Sequence, residues 1–239
     1  MKTTTAEQLL NKVRNDYNQI AEDFSHTRVY PWADFDIFLE YLQDEQNILD
    51  IGCGNGRLNE SLKKKKLYYN GVDNSGNLIM RAQRKYPQQF FQVGDILKLP
   101  FVKEEFDAAL AVAVLHHIPS AKLRRAALKE ISRVLKPNGY LLMTNWNLWQ
   151  NKYRHLIWLH LLKKIFHLND FDKGDVLVPW KSPKGKIIQQ RYYHAFTTNE
   201  LSTLAENSGF KIIKQYYSYK GKKTDQKKAL NILSIWQKA

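Results

Sequence analysis

Short apolar runs alternate along this chain with segments in which apolar residues recur at helical spacing. The short runs are typical of buried strands, and the second pattern is typical of helices with one buried face. The predicted strands lie near 47–52, 68–73, 90–93, 107–113 and 139–145. The predicted helices lie near 5–24, 57–65, 75–85 and 121–135. This alternation favours an α/β fold, a doubly wound parallel sheet with helices on both faces.

The alternation of strands and helices stops near residue 146. The segment 153–166 looks helical and is very apolar, whereas 170–185 is rich in aspartate, proline, glycine and lysine. We expect the region 147–196 to be an insertion that covers the substrate side of the sheet.

The last part of the chain returns to regular structure. A helix is predicted over 199–208, with Thr198 as its N-cap. Two apolar segments, 210–217 and 230–236, are predicted to pair as antiparallel strands. The chain 1–239 is therefore predicted to be a single domain, with an N-terminal cap helix at about 5–24 and the insertion at about 147–196.

The charge of the chain adds a prediction about its binding partner. Lysine and arginine number 37 against 23 acidic residues, so the net charge is +14. Between Lys211 and Ala239 there are eight lysines and one acid, Asp225. Such an excess favours a polyanion, and we predict nucleic acid as the partner of this basic half. For the isolated run Lys63–Lys66 a solvated face is the simpler interpretation.

Other features limit the class of protein. No apolar stretch predicts a signal peptide or a membrane span. The only cysteine, Cys53, precludes an internal disulfide and fits a reducing compartment, so we expect a cytoplasmic protein without membrane contact. We predict no metal site.

A glycine-rich turn carries the first chemical signal. The apolar run Ile48–Ile51 is followed by Gly52, Gly54 and Gly56, which is typical of a strand and a tight turn that lets backbone approach a ligand. The second predicted strand ends at Asp73, a position where a carboxylate can bind ribose hydroxyls. A nucleoside-containing cofactor is therefore predicted, although the glycine spacing differs from the dinucleotide pattern G-x-G-x-x-G.

The spacing G-x-G-x-G after Asp50 resembles motif I of the class I S-adenosylmethionine-dependent methyltransferases. Three later segments, Val93–Ile96, Phe106–Ala111 and Leu135–Gly139, resemble further motifs of that family in the same order. The resemblance implies a Rossmann-like seven-stranded sheet with an antiparallel C-terminal strand, and S-adenosylmethionine as the cofactor. The cofactor-binding residues that it implies are Asp50, Gly52, Gly54, Gly56, Asp73, Asn74, Asp95, Ile96 and Ala111.

Four other segments resemble one branch of that family, the tRNA wobble-uridine methyltransferases that esterify a carboxymethyl group on the base. They are Asn18–Arg28 with Trp32 close behind, Ala113–Ile118, Val178–Trp180 and Gln190–Phe196. The branch implies that the product is the methyl ester of 5-carboxymethyluridine at the wobble position of tRNA, and that a small activating protein subunit is a second partner. The order Tyr30-Pro31-Trp32 and the short segment 183–188 depart from the branch.

A carboxylate nucleophile sets the expected catalytic groups. It is ionised at neutral pH, so it needs positioning rather than a general base. A guanidinium is the natural clamp, which makes Arg28 and Arg191 the candidates. His116 and His194 are the further catalytic candidates, for contact with cofactor or uracil. For each residue a plainer role stays open: a surface ion pair for Arg28, an RNA phosphate for Arg191, and packing for the histidines.

Two other functions also fit the residues. One is a methyltransferase for a small-molecule carboxylate or phenol, which would not need the lysine-rich surface. The other is a non-catalytic subunit that binds cofactor or RNA, against which the intact set of glycines and acids argues.

Overall fold

The computed structural model describes residues 1–27, 34–181 and 187–239. Its helices are α1 (Thr3–Gln19), α2 (Ala21–Thr27), α3 (Asp34–Leu39), α4 (Asn59–Leu62), α5 (Gly76–Lys85), α6 (Ala121–Val134), α7 (Arg154–Ile165) and α8 (Thr198–Glu206), with a 3₁₀ turn at Leu115–His117. Its strands are β1 (Asn47–Ile51), β2 (Tyr68–Asp73), β3 (Phe90–Val93), β4 (Phe106–Val112), β5 (Leu135–Trp146), β6 (Asp175–Lys181), β7 (Ile187–His194), β8 (Phe210–Tyr219), β9 (Lys222–Lys223) and β10 (Asn231–Lys238).

The central sheet has the order β3-β2-β1-β4-β5-β10-β8-β9. Strands β1 to β5 pair in parallel, and β10 lies antiparallel between β5 and β8. The predicted α/β fold with an antiparallel C-terminal strand is confirmed. Seven strands form the body of the sheet, and the two-residue strand β9 adds an eighth at its edge.

Burial explains why the central strands form where they do. Ile48 and Leu49 in β1 and Ala108 to Leu110 in β4 are fully buried, because helices cover both faces of the sheet. One apolar core lies on each face. Two of the flanking helices begin at serine caps, since the Ser75 hydroxyl accepts from Leu78 N–H and the Ser120 hydroxyl accepts from Leu123 N–H.

Several predicted boundaries move. The helix expected at about 5–24 is interrupted at Ile20, which separates α1 from α2. The N-cap of α8 is Thr197 rather than Thr198, because the Thr197 hydroxyl accepts from Glu200 N–H at 3.2 Å. Strand β5 begins at Leu135 instead of 139, because Leu135 pairs with Phe106 before a bulge resets the register.

The insertion contains a small sheet that the polar composition of 170–185 did not predict. Strands β6 and β7 pair antiparallel outside the central sheet. Strand β7 packs against α1 and against the 3₁₀ turn that follows β4. The insertion thereby places one face of β7 over the carboxyl ends of the parallel strands.

In the described part of the chain, none of the helices combines the length and the apolar content that a transmembrane span requires.

Candidate active site

A crevice opens at the carboxyl ends of β1, β2 and β4, where the strand order reverses between β1 and β4. Such a switch point is where ligands bind in doubly wound sheets. The crevice has a volume of about 1170 Å³, including its open mouth, and α1 and β7 form its outer wall. Six of the predicted cofactor-binding residues line it: Asp50, Gly52, Gly54, Asp73, Asn74 and Ile96.

The glycine-rich turn adopts a backbone that other residues resist. Gly52, Gly54 and Gly56 have φ of +67°, +57° and +75°. A Cβ atom on Gly52 would lie 2.4 Å from Cγ2 of Val114, which closes the turn against the end of β4. The predicted role of a tight ligand-facing turn fits this geometry at Gly52 and Gly54. Gly56 does not line the crevice, and a Cβ atom there would lie 2.8 Å from the Phe91 ring.

Asp73 ties the end of β2 to this turn. Its carboxylate accepts from Gly54 N–H at 2.9 Å and from Ser75 N–H at 2.8 Å. Burial raises the pKa of Asp73, and the backbone hydrogen bonds act in the opposite direction. The side chain therefore supports the shape of the turn and also reaches the crevice.

Asp50 is a buried carboxyl group in the crevice wall. Its Oδ2 accepts from the Tyr69 hydroxyl at 2.6 Å. Burial raises the pKa of Asp50 to about 7, a shift that the hydrogen bond from Tyr69 partly offsets. A cationic ligand beside Asp50 would favour its ionised form. The crevice therefore fits the ammonium end and the sulfonium of S-adenosylmethionine.

Besides Gly56, two more predicted cofactor residues lie outside the crevice lining. Asp95 is exposed, and its Oδ1 accepts from Leu97 N–H. Ala111 is buried within the sheet, because its side chain packs into an apolar core. The residues that face the crevice are instead the next three, Val112–Val114. Ala113 has φ of +60°, a strained conformation that turns the chain at the crevice and has no signature in the sequence.

Arg191 lies on the substrate side of the crevice in a box of aromatic rings. Its Cζ is 4.3 Å from the ring centroid of Trp180, 5.2 Å from Tyr193, 5.9 Å from Trp146 and 6.0 Å from Tyr17. The side chain is 5% exposed, and its Nε–H has no hydrogen-bond partner among the residues that the structure describes. No carboxylate of residues 1–27, 34–181 or 187–239 forms a salt bridge with it. This buried cation is therefore available to an anionic ligand.

A chain of hydrogen bonds holds Arg191 in place. Its Nη1 donates to the Tyr17 hydroxyl at 3.5 Å, and this hydroxyl lies 2.8 Å from Nε2 of His117. Nδ1 of His117 donates to the carbonyl of Tyr192 at 3.0 Å, so a neutral His117 accepts from Tyr17 at Nε2. Burial, assisted by the charge of Arg191, lowers the pKa of His117 to about 3. Tyr17 lies within the helix predicted near 5–24, but no role in the site was predicted for it from the sequence.

His116 forms the floor of the aromatic box. Its Nδ1 accepts from Trp146 N–H at 3.2 Å, and its ring stacks on Tyr193 with centroids 5.3 Å apart. Burial, with a smaller contribution from His117, lowers the pKa of His116 well below its usual range. The structure thus brings His116 and Arg191 together at the crevice.

His194 does not join them. It is buried in a separate network, where Nδ1 lies 2.6 Å from Asp175 and Nε2 lies 2.8 Å from Glu200. Burial opposes a charged imidazole, but these two carboxylates outweigh it and raise the pKa of His194. Its position supports a structural role rather than contact with uracil. Arg28 and Trp32 lie outside the described residues.

The known proteins that resemble this chain include methyltransferases. A model described as a methyltransferase domain matches residues 49–143. The tRNA (carboxymethyluridine(34)-5-O)-methyltransferase of Schizosaccharomyces pombe is 30% identical over 223 residues, which cover 86% of this chain and 91% of the relative. The protein of the same name from Arabidopsis thaliana is 40% identical over 137 residues, 56% of this chain but only 32% of the relative.

Solved structures share the fold. A S-adenosylmethionine-dependent methyltransferase from Methanosarcina mazei aligns with a TM-score of 0.70 and 29% identity, over 87% of this chain and 97% of that one. A putative methyltransferase from Haloferax volcanii, solved in complex with the Trm112 methyltransferase activator, aligns with a TM-score of 0.63 and 17% identity, over 94% and 96% of the two chains.

Proposed function

This chain belongs to the family of the tRNA (carboxymethyluridine(34)-5-O)-methyltransferases, and from that premise we propose that it methylates the carboxylate of 5-carboxymethyluridine at the wobble position of tRNA. The observation that carries the proposal is Arg191, a buried guanidinium without a described carboxylate partner that faces the same crevice as the glycine-rich turn. A guanidinium presents parallel N–H groups that match the two oxygens of a carboxylate.

The cofactor supplies an electrophilic methyl group bonded to a positively charged sulfur. The residues that would hold it line the inner part of the crevice. Asp50 would neutralise its cationic end, Asp73 would accept from its ribose hydroxyls, and the turn Gly52–Asn55 would contact it through backbone. Asn74 and Ile96 complete the proposed cofactor-binding set.

The residues on the substrate side position an anion without taking a proton from it. The substrate carboxylate is already ionised at neutral pH. His116 and His117 are neutral, because burial lowers the pKa of both. A base whose pKa lies near 3 would not deprotonate a phenol, so the arrangement favours a carboxylate substrate over a phenol. Orientation of two reactants in such a site can contribute as much as about 7–11 kcal/mol.

Aromatic rings shield one side of the site from water. Trp146 and Tyr193 stack with centroids 5.1 Å apart and planes 6° apart. These rings exclude water from one side of Arg191 and strengthen its attraction for an anion, because charges interact more strongly at low dielectric. Arg28, the other predicted clamp, lies outside the described residues and stays a prediction.

The test is esterification of a defined RNA. We expect the protein, with labelled S-adenosylmethionine, to form an alkali-labile methyl ester on an anticodon stem–loop that carries 5-carboxymethyluridine. The same stem–loop with unmodified uridine is the control and should stay unlabelled. If the protein binds the cofactor but forms no ester, alone or with its activating subunit, the proposed function is wrong.

We further propose that the small activating subunit binds at the free edge of β3. The edge strand exposes Phe90 and Val93, which are 52% and 56% exposed, and Tyr68 and Met80 beside it are also exposed. An open apolar edge can accept a strand from a partner. The Haloferax volcanii neighbour in complex with Trm112 supports such a partner. Phe90→Asp and Val93→Asp together should abolish co-purification with the subunit, whereas substitution of the exposed Lys122 on α6 should not.

A further inference from the structure

A lysine-rich loop lies beside the mouth of the crevice. We define the lysine loop as residues 219–230, which comprise the last residue of β8, the short strand β9 and the rest of the connection to β10. The first residue of β10, Asn231, pairs with Trp146 at the end of β5 and with Ser218 in β8. Trp146 lines the crevice. The lysine loop therefore sits on the carboxyl edge of the sheet, the edge at which the crevice opens.

The charge of this loop is largely uncompensated. Its five lysines, all exposed, are Lys220, Lys222, Lys223, Lys227 and Lys228. Asp225 is the only acid, and its Oδ1 accepts from the backbone N–H groups of Lys227 and Lys228. Lys228 also lies 3.7 Å from this carboxylate, whereas the other four lysines have no salt bridge within the described residues.

Buried polar groups brace the loop against the crevice wall. Asp34, 2% exposed, accepts from the Ser218 hydroxyl, from Gly221 N–H at 3.0 Å and from the Asn231 amide at 2.7 Å. Asn147, the residue after Trp146, donates to the carbonyls of Gln226 and Ala229. The backbone that carries the lysines is thus held in place beside the crevice, which reduces the entropy lost when the loop binds a ligand.

The other lysines of the C-terminal segment lie elsewhere. Lys211 is at the start of β8, and Phe210 beside it pairs with Lys238. This end of β8 lies at the amino edge of the parallel strands, as do Lys65 and Lys66, which precede β2. Lys238 is engaged with Glu104 and with the Leu135 carbonyl. The antiparallel register therefore divides a segment that looks uniformly basic in the sequence.

We propose that the lysine loop binds the phosphate backbone of the RNA next to the nucleotide that enters the crevice. The proposal rests on the proposed function, because it takes the crevice to hold an RNA nucleotide. Tyr219 is 44% exposed, and its ring centroid lies 5.5 Å from Lys220 Nζ. An aromatic ring among lysines is typical of surfaces that bind single-stranded nucleic acid, because bases stack on the ring while cations follow the phosphates.

The test compares two triple variants of equal charge change in the full chain. The first is Lys222→Gln with Lys223→Gln and Lys227→Gln in the lysine loop. The matched control is Lys65→Gln with Lys66→Gln and Lys211→Gln at the opposite edge. We expect the first to weaken binding of an anticodon stem–loop about tenfold or more and to lower the salt dependence of binding by about two units of log K per log salt. The control should change binding less than about twofold.

Affinity for S-adenosylmethionine, measured by calorimetry, should be unchanged in both variants and shows that they fold. Equal loss of RNA binding in both variants, or no loss in either, would overturn the proposal even if the wild type forms the ester. Loss of binding to phosphatidylserine vesicles with unchanged RNA affinity would also overturn it. If the wild type forms no ester but only the first variant loses RNA binding, the lysine loop stands as an RNA surface and the proposed reaction is wrong.

Discussion

Two buried arginines in this molecule have opposite surroundings. Arg124 on α6 is 2% exposed and lies within 4 Å of three carboxylates, those of Asp172, Asp175 and Glu200. Arg191 on β7 is 5% exposed and lies among aromatic rings, with no carboxylate partner in the described part of the chain. Both guanidiniums have lost water, but only the first has been compensated by the protein itself.

The difference separates a structural cation from a binding cation. A buried charge is costly unless a partner compensates for it. In the Arg124 network the partner is internal, and it joins the insertion to α6 and α8. At Arg191 the missing partner indicates a ligand of negative charge. Burial alone would not distinguish the two residues, whereas the identity of their neighbours does.

Removal of the internally paired arginine should have the largest effect on stability. Arg124→Met removes a cation from the buried Asp175 and from the partly exposed Asp172 and Glu200, so the free energy of unfolding should fall by about 3 kcal/mol. Chemical denaturation measures the change. Arg125→Met, at the exposed neighbouring position on α6, is the control and should change stability by less than about 0.5 kcal/mol. Similar values for the two variants would contradict the structural role of Arg124.

The ligand-facing arginine should behave in the opposite way. Arg191→Lys keeps the charge but loses the bidentate geometry, so kcat/KM for esterification should fall by about 10- to 100-fold, or about 1.5–3 kcal/mol. Cofactor affinity and the free energy of unfolding should change little. Steady-state kinetics, calorimetry and denaturation provide the three measurements. A loss of stability that equals the loss of activity would assign Arg191 to folding instead.

The histidines of the two regions should respond to pH with opposite sign. Burial lowers the pKa of His117 to about 3 in the folded protein, below its unfolded value near 6.5. The unfolded state therefore binds the proton first, and stability falls as the pH decreases below about 6.5. Between pH 6.5 and 5 this loss amounts to about 2 kcal/mol.

The pKa of His194 is raised by its two carboxylates despite its burial. Its contribution to stability is therefore present at pH below its unfolded value and is lost as the pH rises through its folded pKa. Denaturation at a series of pH values gives the free energy of unfolding as a function of pH. This dependence should become flatter on the acid side for His117→Asn and flatter on the alkaline side for His194→Gln. The same slope in both variants would contradict the assignment of the two environments.

The smallest expected effect concerns the buried acid of the crevice. Asp50 has a pKa raised to about 7 by burial, so it is mostly protonated at pH 6 and mostly ionised at pH 8. If its charge neutralises the cofactor, affinity for S-adenosylmethionine should rise by up to about tenfold over that interval, or about 1.4 kcal/mol. Calorimetry of Asp50→Asn should show weaker binding with little pH dependence. An unchanged profile in the variant would remove Asp50 from the site.

The fold and the cofactor side of the crevice followed from local patterns. Alternating strand and helix periods predicted the parallel sheet, and the glycines after Ile51 predicted the turn that lines the crevice. These features are visible in sequence because each depends on residues close together in the chain. Asp95 and Ala111, chosen by motif position, lie outside the crevice lining, because the direction of a side chain depends on the twist and register of the strands.

The tertiary structure alone determined where two sets of charged residues lie. Arg191 and His194 are three residues apart on β7. Successive residues of a strand face opposite sides, so Arg191 faces the crevice and His194 faces Asp175. The lysines from Lys211 onward form one basic segment in the sequence. The antiparallel pairing of β8 with β10 places Lys211 and the lysine loop at opposite edges of the sheet. Sequence determined which residues form strands and turns, but only the packing of distant strands decided which charges meet a ligand and which meet each other.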